Sequence, residues 1–179
     1  MEMVIPYNTI MNDFLSDFCD DAVRNNRTHS CDGQRPVKSF YFKIKSSTNQ
    51  ITKTVQKFDE LLEHNNCCSA RTKSELSTAL SEALANAIVH GNKIDPDQFV
   101  DLKIHIHPDQ MILRIKDKGA GFNYKQLPSP LKPENIKKTS GRGVYLMSVL
   151  VDKVDFVKHD DGMEVILVKF LQGKNKSNI

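Results

Sequence analysis

SELSTALSEALANAIVHGN, Ser74 to Asn92, reads as a single helix carrying two stripes. At about 3.6 residues per turn, Leu76, Leu80, Ala83, Leu84 and Ala87 share an apolar face. Glu82, Asn86 and His90 fall on an adjoining polar face. Thr72 and Glu75 have the spacing of a capping box at the start, and Gly91 suits a left-handed stop at the end. The apolar stripe predicts a core helix, and the polar stripe predicts one edge of a site.

The segments on either side supply a sheet. Upstream, Phe40, Phe42 and Ile44 alternate with Tyr41, Lys43 and Lys45 between Ser39 and Ser46, the period-two pattern of a half-buried strand. Ile51, Val55, Phe58 and Leu62 then step at helical spacing up to the polar residues 64 to 66. Downstream, Val100, Leu102, Ile104 and Ile106 alternate with Asp101, Lys103, His105 and His107. A Pro108-Asp109-Gln110 turn leads to Met111, Leu113 and Ile115, which predicts a hairpin ending in DKGAGF. Residues 123 to 140 contain three prolines and many polar side chains, which suits a mobile loop or lid. GRGVYLMSVLVD predicts a helix that starts at a glycine turn. Lys153 to Lys158 and Met163 to Phe170 predict two strands joined at the HDDG turn. The expected order is β-α-α-β-β-lid-α-β-β, within residues 39 to 171.

The flanks are different in kind. In residues 1 to 38, Ile10, Met11, Phe14, Leu15 and Phe18 recur at helical spacing before a polar stretch, which predicts an amphipathic arm. Residues 172 to 179 form a polar tail. A chain of 179 residues suits one domain plus extensions. The net charge of +3 comes from interspersed acids and bases, and it calls for no direct nucleic-acid contact. Cys19, Cys31, Cys67 and Cys68 lack Cys-x-x-Cys spacing, so a cysteine metal cage is not expected. With no basic leader and no long apolar run, the expectation is a cytoplasmic protein without a membrane partner.

Three local patterns stand in one order: Glu82-x-x-x-Asn86 on a helix, Asp117-x-Gly119-x-Gly121 at a strand end, and Gly141-x-Gly143 at a helix start. Each alone is weak. Together, over residues 39 to 171, they resemble the Bergerat-type ATP-binding fold of histidine kinases, Hsp90 and gyrase. SEALANAIVHGN and GRGVYLM look most like the anti-sigma factor serine/threonine kinases within it. The resemblance implies an α+β protein: a two-layer α/β sandwich with a mixed, mostly antiparallel sheet and helices on one face. ATP and Mg²⁺ are the implied ligands. The implied partners are a sigma factor, an anti-sigma-factor antagonist and a second copy of the chain, as a homodimer formed through the sheet side.

The residue chemistry agrees with these implications. Asn86 offers a hard amide oxygen suited to Mg²⁺. Glu82, one turn earlier, is the candidate general base, the role of its counterpart in the family. Asp117 would accept a hydrogen bond from the exocyclic amine of adenine, as the resemblance implies. Gly119 and Gly121 permit close backbone approach to the ligand. Gly141 and Gly143 present backbone N–H groups at a helix start as an anion site, with Arg142 between them supplying charge and Val144 following. His90 is as suited to a helix C-terminal role favouring the dipole as to a nucleotide contact. Two positions depart from the family pattern: Gly162-Met163 stands where Gly-Thr is usual, and Val144-Tyr145 where Leu-Gly is common. Met163 cannot donate the hydrogen bond of a threonine. A nucleotide-gated binding switch without turnover, and a detached histidine kinase-like ATPase domain, are therefore carried as alternatives.

Overall fold

A computed structural model describes residues 38–121 and 142–171. Residues 1 to 37 of the expected arm, residues 122 to 141 with the expected loop, and the polar tail lie outside the described residues, and Lys38, expected in the arm, is the first residue of β1. In chain order the elements are β1 (Lys38–Lys45), α1 (Asn49–Asn65), α2 (Ala70–Ala85), a π-helical turn (Asn86–Gly91), β2 (Phe99–Ile106), β3 (Gln110–Lys116), α3 (Arg142–Leu150), β4 (Lys153–His159) and β5 (Gly162–Phe170).

The strands form one sheet in the order β1-β2-β3-β5-β4. Every described pairing is antiparallel, so the sheet is not mixed. The alternation along each strand sets its two faces. Phe42, Ile44, Val100, Leu102, Ile104, Met111, Leu113, Ile115, Val165 and Leu167 are buried on the inner face. They pack against Phe58, Leu61 and Leu62 of α1, the apolar stripe of α2, and Met147 of α3. This is a two-layer α+β sandwich with its core between sheet and helices.

The outer face carries polar pairs. Tyr41 Oη donates to Asp101 Oδ1 at 2.6 Å, and Arg114 grips Glu164 through both carboxylate oxygens at 2.9 and 2.8 Å. His159 Nε2 lies 3.0 Å from the same Glu164.

Helix α2 keeps its predicted stripes but starts and stops differently. Its N-cap is Ser69, in an extended conformation, whose Oγ accepts the Thr72 N–H at 3.1 Å. Thr72 is therefore the receiving end of the cap. Glu75 does not close a capping box: it pairs with Arg71 at 2.8 Å and with Lys169 of β5 at 2.6 Å. At the other end, the left-handed residues are Lys93 (φ 57°) and Ile94 (φ 59°). The chain reaches them through the π turn, in which Asn92 N–H donates to Ala87 O at 2.8 Å, and Ile94 N–H then donates to Ile88 O at 2.8 Å. Gly91 is a glycine for a different reason, which lies in the site.

Candidate nucleotide site

The helix places Glu82 and Asn86 one turn apart, both half-buried, before the winding widens at Asn86. The π turn swings the next residues off the regular stripe, so His90 is exposed and does not continue it. Opposite stands the start of α3. A Cβ built on Gly143 would come 2.6 Å from Glu82 Oε2 and 3.7 Å from Asn86 Nδ2. The glycine at this position thus lets the helix backbone lie directly on the carboxylate and the amide. Glu82, Asn86 and Gly143 form one contact group, with Val144 packed against the core beside it and Arg142 exposed.

A second group forms at the far end of the π turn. A Cβ on Gly91 would lie 2.4 Å from Asp117 Cγ, and one on Gly119 would lie 2.4 Å from Gly91 O. A Cβ on Gly162 would strike Asp117 O at 1.8 Å. Three glycines therefore let three backbones close around Asp117, whose carboxylate is buried. Gly119 N–H donates to Asp117 Oδ1 at 2.7 Å, and Asp117 N–H donates to Met163 O at 2.9 Å. Burial pushes the Asp117 carboxyl above its ordinary range, against the opposing pull of the backbone hydrogen bonds from Gly119 and Met163. Gly121, at φ 73°, ends the turn with its Cα against Met163, whose Sδ would lie 3.1 Å from an added Cβ.

Of the residues singled out from sequence, Glu82, Asn86 and Gly143 meet at one end of the π turn, and Asp117, Gly119 and Gly121 gather at the other. Gly141 lies outside the described residues. The sequence reading missed Gly91 and Gly162 as packing partners of Asp117, and it missed Asn92. Gly91 was visible only as a helix stop because its neighbour in space is 26 positions away in the chain.

Asn86 Nδ2 is buried and has no hydrogen-bond partner. Such an orphan is costly unless something else uses the amide. In its alternative orientation the amide turns Oδ1 to the same spot. An amide oxygen beside the Glu82 carboxylate is a hard-donor pair, which fits Mg²⁺. Among the described residues no group of three or more His, Cys, Asp or Glu could hold a metal ion.

An antiparallel sheet backed by helices on one face defines a domain of the two-layer α+β sandwich class. The family model described as "Histidine kinase-like ATPase domain" matches residues 44–169, and the chain belongs to that family. Within it, this chain is 29% identical over 110 residues to the serine-protein kinase RsbW of Bacillus mycoides (strain KBAB4), covering 58% of this chain and 68% of that protein. The serine-protein kinase RsbW of Bacillus cereus (strain AH187) is 28% identical over the same length, with the same coverage. Both relatives are named as serine-protein kinases. Among solved structures, the RsbU and RsbW domains of a Mycobacterium tuberculosis protein superpose with a TM-score of 0.56 at 14% identity. That match covers 76% of this chain and 33% of the other, and it shows the fold. Among the described residues no helix is long and apolar enough to cross a membrane.

Proposed function

We propose that the chain is an ATP- and Mg²⁺-dependent serine kinase that binds a sigma factor and phosphorylates a small anti-sigma-factor antagonist. The observation that carries this reading is the seating of the Gly143 backbone on Glu82 and Asn86. It aligns a carboxylate, an amide and the N-terminal end of α3. Relatives named as serine-protein kinases support the reaction class.

In this reading Asp117 holds the adenine amine and the glycine turns let the nucleotide lie against backbone. Glu82 accepts the proton of the antagonist's serine hydroxyl as that oxygen attacks the γ-phosphate and the bond from γ-phosphorus to the bridging oxygen breaks, releasing ADP. The N–H groups at the start of α3, with Arg142, face the developing charge. Asn86 would hold Mg²⁺, which when bound neutralises phosphate charge. The protein is proposed as a homodimer acting in the cytoplasm.

Incubation with Mg-ATP and a cognate antagonist tests the reaction. Phosphoserine should appear on the antagonist and fall by about 10²-fold or more in Glu82→Ala, with ATP binding retained. Undiminished transfer in that variant would remove Glu82 as the base. A second reading, a nucleotide-gated binding switch without turnover, is favoured by one observation: Met163, buried against Gly121, offers no hydroxyl to the base. Binding of ATP with no transfer by the wild type would select it.

A further inference from the structure

Asn92 follows the π turn and is buried at 5% exposure. Its side-chain amide makes three hydrogen bonds. Nδ2 donates to Ser46 Oγ at 2.7 Å and to Phe99 O at 3.1 Å, and Oδ1 accepts the Lys118 N–H at 2.7 Å. One side chain thereby ties together the end of β1, the start of β2, the end of the π turn and the turn that follows β3. The last of these contacts bears on the site. Lys118 lies between Asp117 and Gly119, and Gly119 N–H is the donor that holds Asp117 Oδ1. The same turn rests on Gly91, the residue before Asn92.

We infer that Asn92 is the positioning residue for base selection: through the Lys118 amide it locks the Asp117-Lys118-Gly119 turn onto the π turn, fixing where the Asp117 carboxylate meets an adenine amine. This rests on the proposed reading of Asp117 as the base contact. Asn92 touches no reacting atom and acts through the turn. Its bonds to Ser46 and Phe99 anchor the amide, and its bond to Lys118 transmits that anchor. A turn without it keeps its carboxylate but not the carboxylate's aim, so the loss should fall on discrimination between bases.

The test is calorimetric titration of the full chain with Mg-ATP and with Mg-GTP, alongside thermal melting, for wild type, Asn92→Ala and Ser46→Ala. Ser46→Ala removes one anchor and leaves the Lys118 bond intact. Both variants should melt earlier than wild type. Only Asn92→Ala should lose preference for ATP over GTP, by about tenfold, while Ser46→Ala stays within about twofold of wild type. Should Asn92→Ala not be recovered folded, Asn92→Ser, whose shorter side chain retracts from Lys118, carries the same expectation. In transfer assays the change should appear in the KM for ATP with kcat retained. An unchanged ATP preference in the Asn92 variant, or an equal loss in Ser46→Ala, overturns the inference alone. A wild type that binds both nucleotides equally, or neither, overturns the base-site reading and this inference with it.

Discussion

Asp117 is a single residue that is costly to the fold and, in the proposed reading, serves the nucleotide. Its carboxyl is buried under three glycine backbones, and burial raises its pKa above the unfolded value. A group shifted in that direction contributes stability that is fully present below the unfolded pKa and is lost as pH rises through the folded one. Above that folded value the ligand-free protein carries an ionised, partly desolvated carboxylate. Asp117→Asn should raise the melting temperature of the free protein at pH 7, with the difference vanishing by about pH 3, and should abolish the gain on adding Mg-ATP. Melting curves across that range check both halves. The residue types at Glu82, Asn86 and Asp117 were legible from sequence, because a carboxylate and an amide one turn apart mark a helix edge and a carboxylate before two glycines marks a strand end. Asn92 and Gly91 were not, since their roles depend on Lys118 and Asp117, which the sheet brings back from far along the chain.

At the level of elements, alternation and helical spacing were enough to predict five strands and three helices in the right order, because each element buries one face. Their ends were harder to read. Ser69 and Thr72 both have hydroxyls near the start of α2, and only the extended backbone at Ser69 makes it the cap. Ser69→Ala should cost about 1 kcal/mol, as for other N-caps, and Thr72→Ala clearly less, measured by denaturant unfolding. The π turn left no periodic trace: one widened turn is too short to alter a hydrophobic pattern, yet it sets the spacing between the Asn86 group and the Asp117 group. It also delivers the chain into Lys93 and Ile94, both left-handed, a conformation that a β-branched side chain seldom adopts.

Across the whole molecule, the two sheet faces divide the labour. The inner face supplies the apolar core that holds α2 and α3 at fixed distance, and the outer face carries the Arg114, Glu164 and His159 cluster. Arg114 in first place, helped by His159, holds the Glu164 carboxyl below its ordinary range in spite of burial. That contribution is present above the unfolded pKa and fades as pH falls through the folded value. Glu164→Gln should cost on the order of 1 kcal/mol at neutral pH, because Arg114 is partly exposed, and the gap from wild type should close on acidification. The mixed sheet expected from the resemblance is antiparallel throughout its described pairings, since every neighbour in the order β1-β2-β3-β5-β4 runs opposite to the next.

Asn86 and Asp117 are proposed as two ends of one nucleotide site, and titration of the chain with ATP in the presence and absence of Mg²⁺ tests that most directly. Wild type should bind ATP with magnesium dependence. Asn86→Ala should lose that dependence while remaining folded, because the alanine also removes a buried, partnerless amide. Binding of ATP by Asn86→Ala with the wild-type affinity and the wild-type response to magnesium would contradict it.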